Sequence, residues 1–240
     1  NNGLAMTSLQ QPLVSVLIST YNNEKTILQA VDSILMQDYK NFEILIINDC
    51  STDNTANLLE QIKEKDERIN VFSNEKNIGL TASLNKLIDF SKGDIILRQD
   101  ADDFSTNNRI TTQVDCLTST KADLCFSRAT VINDSRIMPN WSFYLPYKLV
   151  MKYKNPFIHG TLAIRKKVLL SIGKYDKNFY YAQDYKLYKD IISKKYRIKK
   201  IYDVLYHLNM QNNISSNYIN EQNYYAECVR RNLTPKKDFL

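Results

Sequence analysis

Asp-Ile-Ile-Leu-Arg-Gln-Asp-Ala-Asp-Asp, residues 94–103, is a short apolar run that ends abruptly in three carboxylates. Such an ending suits something cationic, although Asp102 or Asp103 could equally do no more than cap a helix starting near Thr106. What precedes the run decides the fold. Residues 13–19, Leu-Val-Ser-Val-Leu-Ile-Ser, are too continuously apolar for a half-exposed strand and too short for a helix, so they read as a strand buried on both faces. Ile27, Leu28, Val31, Ile34 and Leu35 follow at helical spacing, with Asn22 or Asn23 as the N-cap. Residues 42–47 repeat the buried strand, and the polar loop after them offers Asp53 as the cap of a helix carrying Leu58, Leu59 and Ile62. Residues 69–73, 80–90 and 95–97 supply a third strand, a third helix and a fourth strand. Strands and helices alternating at this spacing predict right-handed crossovers and a parallel sheet.

In such a sheet every loop that follows a strand emerges on one edge, and that edge is where open α/β sheets bind ligands. The loops at 20–23, 48–53, 74–79 and 99–103 are polar and rich in Asp and Asn, which suits a nucleotide. No G-x-G-x-x-G follows the first strand and no G-x-x-x-x-G-K-[ST] occurs anywhere, which argues against a dinucleotide dehydrogenase and a P-loop enzyme. Without a glycine-rich cradle, a diphosphate on this edge would be repelled by the carboxylates unless a divalent cation intervened. Asp100-Ala-Asp102 offers that bridge, because positions i and i+2 of an extended chain point the same way. Carboxylate oxygens suit Mg²⁺ or Mn²⁺, with phosphate and water completing the coordination.

The simple alternation stops after Asp103. A helix carries Ile110, Val114 and Leu117, and 123–127 and 129–133 read as two strands. Residues 141–157 interleave Trp141, Phe143, Tyr144, Tyr147, Tyr153 and Phe157 with Lys148, Lys152 and Lys154, a mixture fit for a membrane interface, for stacking on sugar rings, or for an ordinary amphipathic segment. A strand near 164, a helix over 166–172, a helix opening near Tyr181 and a strand within 197–208 complete the pattern. On spacing alone Asp184 is best explained by its place in the first turn of the helix, where the dipole favours a carboxylate.

With 240 residues, 43% of them hydrophobic and only 5 Gly and 5 Pro, the chain suits one large folded domain or two small ones. Its 4 cysteines are widely spaced with no C-x-x-C pair, which suggests neither a zinc site nor a disulfide framework and fits a reducing compartment. No apolar run approaches the ~18 residues of a spanning helix. The net charge of +6 comes from a basic second half, whose partner could be nucleic acid, anionic lipid or a phosphorylated substrate, though a solvated surface is the commoner cause.

Four ordered segments, Val14-Ser-Val-Leu-Ile-Ser-Thr-Tyr-Asn, Ile46-Ile-Asn-Asp-Cys-Ser-Thr-Asp-Asn-Thr, Asn74-Glu-Lys-Asn-Ile-Gly-Leu and Gln99-Asp-Ala-Asp-Asp, resemble the family 2 glycosyltransferases of the GT-A fold. Asn155-Pro-Phe-Ile-His-Gly-Thr-Leu-Ala-Ile-Arg-Lys through Gln183-Asp-Tyr-Lys-Leu-Tyr resembles the branch that builds bacterial capsule and lipopolysaccharide. The resemblance implies an α/β, Rossmann-like, mainly parallel sheet flanked by helices, with a smaller acceptor-side half. It assigns 12–215 to the transferase domain, split into a nucleotide half at 12–103 and an acceptor half at 104–215. A polar leader at 1–11 and a polar, basic tail at 216–240 flank it.

By the same resemblance Thr20, Tyr21, Asn22 and Glu24 line the base and ribose pocket, with Asp49 on the uracil edge and Ser51 nearby. Asn77 and Gly79 approach the nucleotide, Asp100 meets the ribose, sugar or metal, Asp102 holds Mn²⁺ or Mg²⁺, and Asp184 is the general base. Asp103, His159 and Gln183 fall on the acceptor side, Gln183 standing where relatives carry Glu. Relatives often have a further metal-site His where this chain has Met210 and Gln211. The metal then relies on Asp102, phosphate and water, the preferred reading, or takes His207 or Gln211 instead. The implied reaction is inverting transfer from a UDP-sugar to a hydroxyl of a glycan or lipid-linked acceptor in bacterial surface polysaccharide synthesis. It implies a cytoplasmic enzyme, at the inner face of the membrane if peripheral contact occurs, with no nucleic acid partner. The rival readings are an inactive sugar-nucleotide-binding module and, less favoured, a nucleotidyltransferase.

Overall fold

Strands β1 (Val14–Thr20), β2 (Phe42–Asn48), β3 (Ile69–Ser73) and β4 (Ile95–Arg98) lie side by side in the order β3-β2-β1-β4, every pairing parallel. The computed structural model describes residues 11–210 and 218–236. Helices α1 (Ile27–Leu35), α2 (Thr55–Lys63) and α3 (Leu80–Phe90) are the crossovers. Alternate residues of β1 serve two cores: Val14, Val16 and Ile18 face α1 and α2, while Leu17 faces Leu84, Leu87 and Ile88 of α3. Each of these side chains is essentially sealed from water, a stabilisation of about 1.5–3 kcal/mol apiece.

The second half comprises β5 (Phe104–Ser105), α4 (Arg109–Ser119), β6 (Leu124–Val131), β7 (Ile137–Met138), α5 (Tyr147–Val150), β8 (Ala163–Arg165), α6 (Lys166–Ser171), α7 (Gln183–Ser193), β9 (Ile198–Leu208) and α8 (Ile219–Arg231). The sheet continues from β4 as β8-β6-β9-β5, with β7 paired to β6. β8 runs antiparallel to both β4 and β6, whereas β6 and β9 are parallel to each other. The ends of β1, β2, β3, β4, β6 and β9 therefore share one edge with the start of β8. That reversal carries the segment ahead of β8, Asn155 to Leu162, to the same edge as the carboxylates of residues 100–103.

Several expectations need correction. Neither Asn22 nor Asn23 caps α1, which begins after Thr26 with no side-chain cap. Their amides instead bind loop groups: Asn22 Oδ1 accepts from the Thr52 N–H at 2.8 Å and Asn23 Oδ1 from the Tyr21 N–H at 3.2 Å. The two strands expected at 123–127 and 129–133 are the single strand β6, with its register to β9 shifted around Arg128. Within the polar stretch expected at 216–240, α8 packs Tyr225, Cys228 and Val229 into the core. Residues 1–10, Gln211 and the turn at Ile214-Ser215 lie outside the described residues.

Candidate active site

The loops after β1 and β2 are laced to each other. The Asn22 N–H donates to Ser51 Oγ at 3.0 Å, the Glu24 N–H to Asp53 Oδ2 at 3.1 Å, and Glu24 Oε2 accepts from the Asn54 N–H at 2.9 Å. Asn22 and Cys50 sit at positive φ, a conformation that Asn tolerates better than most side chains. Thr20 is buried and bonds Asn23, whereas Tyr21 is 47% exposed and turns its ring outward.

Asp49 fixes the third loop. Its carboxylate accepts from Asn74 Nδ2 at 2.8 Å, the Ile78 N–H at 2.9 Å and the Gly79 N–H at 2.8 Å, the last two at the N-terminus of α3. Asn77 Oδ1 also accepts from the Gly79 N–H, at 3.1 Å. Gly79 has φ +81°, and a Cβ there would come within 2.6 Å of the Tyr180 ring, so both backbone and space demand glycine. Tyr180, unremarked in the sequence, thus stands against the loop expected to meet the nucleotide. Burial raises the pKa of its hydroxyl, and Asp49, Tyr218 and Tyr21 raise it further, so Tyr180 stands within reach of the Asp49 charge.

The acidic turn is built on two arginines buried beneath it. Arg109 is fully buried and every donor is used: Nε to Gln113, Nη1 to Gln99 Oε1 and Ser105 Oγ, Nη2 to the carbonyls of Arg98 and Gly160. Burial lowers its pKa to about 10, still charged at neutral pH, and its guanidinium lies 4.7 Å from the Tyr206 ring centre. Arg98 pairs with Asp100 and bonds the Gln99 carbonyl; burial opposes its charge, but the carboxylates of Asp100 and Asp103 and the hydroxyls of Tyr175 and Tyr206 outweigh that and hold it. Gln99 Nε2 holds the turn by donating to the carbonyls of Asp100 and Asp103 at 3.1 and 2.9 Å.

The three carboxylates differ. Asp100 gives one oxygen to Arg98, and its other oxygen would lie 2.7 Å from a Cβ at Gly160, so glycine there keeps the carboxylate open. Asp102 is partly buried, and burial, then the Asp100 charge, raise its pKa to about 6. Asp103 is buried rather than turned to the acceptor side: it accepts from the Asn209 N–H at 2.6 Å and bonds Tyr206, and burial with its two neighbours pushes its pKa well up.

α7 starts on Ala182 at positive φ, and Asp184 occupies its first turn beside the partly buried Gln183. Asp184 Oδ1 accepts from the Tyr185 N–H at 2.8 Å and Oδ2 from Asn155 Nδ2 at 2.6 Å. The Asn155 amide is itself fixed, since its Oδ1 accepts from the Phe157 N–H at 3.1 Å. Burial raises the Asp184 pKa to about 6, with Asp100 adding and the hydrogen bonds opposing. His159 bonds Tyr175 Oη at 2.7 Å, and burial together with the Arg98 charge holds its pKa well down, so the ring is neutral.

The fold thus brings Thr20, Tyr21, Asn22, Glu24, Asp49, Ser51, Asn77, Gly79, Asp100 and Asp102 to one edge and sets Asp184 near enough for the Asp100 charge to act on it. His207 is elsewhere occupied: it pairs with Phe104 across β9 and β5 and stacks on its ring at 4.4 Å. Among the described residues no three His, Cys, Asp or Glu side chains form a ready metal cage. Asp102, with Asp100 beside it, nonetheless fits a hard divalent cation, because crowding and burial leave negative charge that such an ion would offset. Sequence reasoning missed Arg98, Arg109, Asn155, Tyr175, Tyr180 and Tyr206. Of these, the one local signal was an arginine closing an otherwise apolar strand.

Residues 15–173 match the family model described as Glycosyl transferase family 2. The putative glycosyltransferase EpsE of Bacillus subtilis (strain 168) is 33% identical over 171 residues, 68% of this chain and 60% of that protein. The UDP-Glc:alpha-D-GlcNAc-diphosphoundecaprenol beta-1,3-glucosyltransferase WfaP of Escherichia coli is 31% identical over 215 residues, covering 87% of this chain and 82% of WfaP. Among solved structures, S. aureus TarS 1-349 in complex with UDP-GlcNAc superposes with a TM-score of 0.72 at 21% identity, over 85% of this chain and 60% of that one. The mannosyltransferase PcManGT from Pyrobaculum calidifontis, in complex with GDP-Man and Mn2+, gives 0.74 at 20% identity, over 95% and 67%. The chain therefore spans about three fifths of the length of EpsE and of TarS 1-349, and the architecture is the expected GT-A fold.

Proposed function

The chain belongs to glycosyl transferase family 2, and from that premise we propose that it transfers a sugar from a UDP-sugar, with inversion, to a hydroxyl of a glycan or lipid-linked acceptor in bacterial surface polysaccharide synthesis. The observation that carries this reading is the Asp184 carboxylate, held by Asn155 and the Tyr185 N–H with its pKa raised to about 6, within reach of the Asp100 charge. A carboxylate so raised is a stronger base than a free one and remains ionised at neutral pH.

On this reading Asp184 takes the proton of the acceptor hydroxyl as the oxygen attacks the anomeric carbon from the side opposite the leaving diphosphate. Asp49 meets the uracil edge, and the loop of Asn77 and Gly79 that it fixes passes beside the nucleotide with Tyr180 packed against it. Asp102, with Asp100 at its side, would hold Mn²⁺ or Mg²⁺. When bound, that ion offsets charge on the departing UDP. Asp100 is in turn kept in place by Arg98. UDP as the donor's nucleotide is supported by what TarS and WfaP bind or use according to their names. The Mn²⁺ with PcManGT supports the divalent ion.

The deciding experiment incubates the protein with Mn²⁺ and a panel of sugar nucleotides, with and without acceptor lipid extract. UDP release in the presence of acceptor is the expected result. Formation of UTP and sugar 1-phosphate when pyrophosphate is added in place of acceptor would identify a nucleotidyltransferase, and tight binding with no turnover under any condition would identify an inactive binding module.

A further inference from the structure

Residues 141–154, Trp-Ser-Phe-Tyr-Leu-Pro-Tyr-Lys-Leu-Val-Met-Lys-Tyr-Lys, contain three lysines and no acidic residue. The fold buries Ser142, Phe143, Val150 and Met151 of this stretch and half-buries Leu145 and Tyr147, whereas Trp141 is 68% exposed, Tyr144 59%, Leu149 47% and Tyr153 72%. Tyr202 of β9 extends the surface, half exposed and stacked on Tyr144 at 5.5 Å, and Arg128 Nη1 donates to the Tyr144 hydroxyl at 3.1 Å. On the other side, exposed Lys148 and Lys152 stand one helical turn apart and line a groove of about 280 Å³ with Met151, Ile192, Lys189 and Arg230. α8 closes that groove: Arg230 Nη1 reaches the Tyr153 carbonyl at 3.4 Å, and Lys189 Nζ bonds the carbonyls of Val229 and Arg230. The acidic residue bonded to the groove's lining is Glu227, which is shared by Arg230 and Arg231.

Exposed rings cost free energy in water, and clustered cations repel one another, so both features ask for a partner. A sugar platform would explain the rings but not the lysines, and the stretch lacks the carboxylates and open amides that usually grip a sugar. A bilayer with anionic headgroups answers both: Trp and Tyr settle at the headgroup level while Lys and Arg meet phosphate. No helix among the described residues is long and apolar enough to cross a membrane, so contact through this surface would be peripheral. We propose that residues 141–154, with Tyr202 and the groove of Lys189 and Arg230, form a peripheral docking surface for a bilayer containing anionic phospholipid. The stretch runs directly into Asn155, whose amide holds Asp184, so docking presents the candidate base at headgroup level. That last consequence rests on the proposed function; the docking itself does not.

Trp141 is the chain's single tryptophan and is exposed at the start of this stretch, so its fluorescence reports the contact directly. The full chain is mixed with vesicles of phosphatidylcholine alone or with about one third phosphatidylglycerol. The expected result is co-sedimentation and a blue shift of Trp141 emission with the anionic vesicles only, both weakened by salt. Lys148→Glu with Lys152→Glu, both exposed, should lower partitioning by about tenfold or more while leaving thermal unfolding unchanged. Tyr153→Ser, which removes a ring and no charge, should weaken binding without changing its salt dependence. Three results would overturn the proposal: no co-sedimentation, co-sedimentation with no Trp141 shift, which assigns binding to another face, or equal partitioning of parent and Lys148/Lys152 variant. UDP titration in vesicle-free buffer tests the transferase reading separately, so either can fail while the other stands.

Discussion

The two sides of the sheet edge hold their polar groups in different ways. On the donor side Asn22, Glu24, Asp49 and Asp53 bond mostly to backbone N–H groups of neighbouring loops, so each side chain fixes a stretch of main chain. On the acceptor side Asp184, His159 and Tyr175 are bonded to other side chains among buried rings, and burial dominates their titration. The donor side is thus a shape made of backbone, and the acceptor side is a set of tuned ionisable groups. If this contrast is right, substitutions on the first should show in nucleotide affinity and substitutions on the second in turnover and its pH dependence.

Asp184→Asn tests the contrast most severely. With the base gone, turnover should fall by about 10²–10⁴-fold, while UDP binding measured by calorimetry stays as in the parent. Stability should move the other way. The folded-state pKa near 6 lies above the ordinary 3.8, so the fold favours the protonated acid, and stability falls as pH rises from about 4 to 6 and stays reduced above that. The Asn variant lacks this penalty, and urea unfolding should find it more stable at pH 8 by about 1–3 kcal/mol, with the gain gone near pH 3. Loss of UDP binding together with turnover would instead make Asp184 a structural residue.

On the donor side, Gly79→Ala forces a side chain into φ +81° and ψ 164° and drives a Cβ toward the Tyr180 ring. Strain of about 1–3 kcal/mol is expected, and it should appear as a loss of UDP affinity of about tenfold, with kcat at saturating donor changed far less. If unfolding temperature falls while UDP affinity holds, the loop is not part of the nucleotide site.

The same contrast explains what could be read before the structure. The third strand and third helix fall at 69–73 and 80–90 as expected, because the donor half is a run of local strand and helix units whose apolar periodicity is uninterrupted. In the acceptor half the signals are weaker for identifiable reasons. β6 looked like two strands because Arg128 interrupts its apolar pattern where the register to β9 slips, as an irregularity does. β8 is three residues long, too short to reveal that it runs antiparallel, and it is that reversal which carries Asn155 to Leu162 to the site. α8 buries Tyr225, Cys228 and Val229 beneath a polar exterior, with no aliphatic stripe to mark it. Asp100 and Asp102 were singled out by their place at a strand end, whereas Asp49 and Asp184 were singled out only through family resemblance. Arg109, which knits Gln99, Ser105, Gln113 and Gly160 together, could not be told from a surface arginine in a helix.

Asn155 offers the finest test, because it touches the candidate base without itself reacting. Its Nδ2 donates to Asp184 Oδ2, which favours the ionised carboxylate and so opposes the effect of burial. Asn155→Ala should remove one charge-assisted hydrogen bond and release the rotamer of Asp184, lowering kcat by about fivefold to tenfold. The sign of the accompanying pH effect is fixed by the same bond. A base must be ionised to act, so activity rises with pH through its pKa; without the Asn155 amide that pKa climbs, and the acidic limb of the kcat profile moves to higher pH. UDP affinity should stay unchanged, since the donor loops do not bond Asn155. A merely structural asparagine would lower kcat at every pH alike and leave the limb in place, and Asn155→Gln, which keeps an amide but not its reach, would then behave no differently from Asn155→Ala.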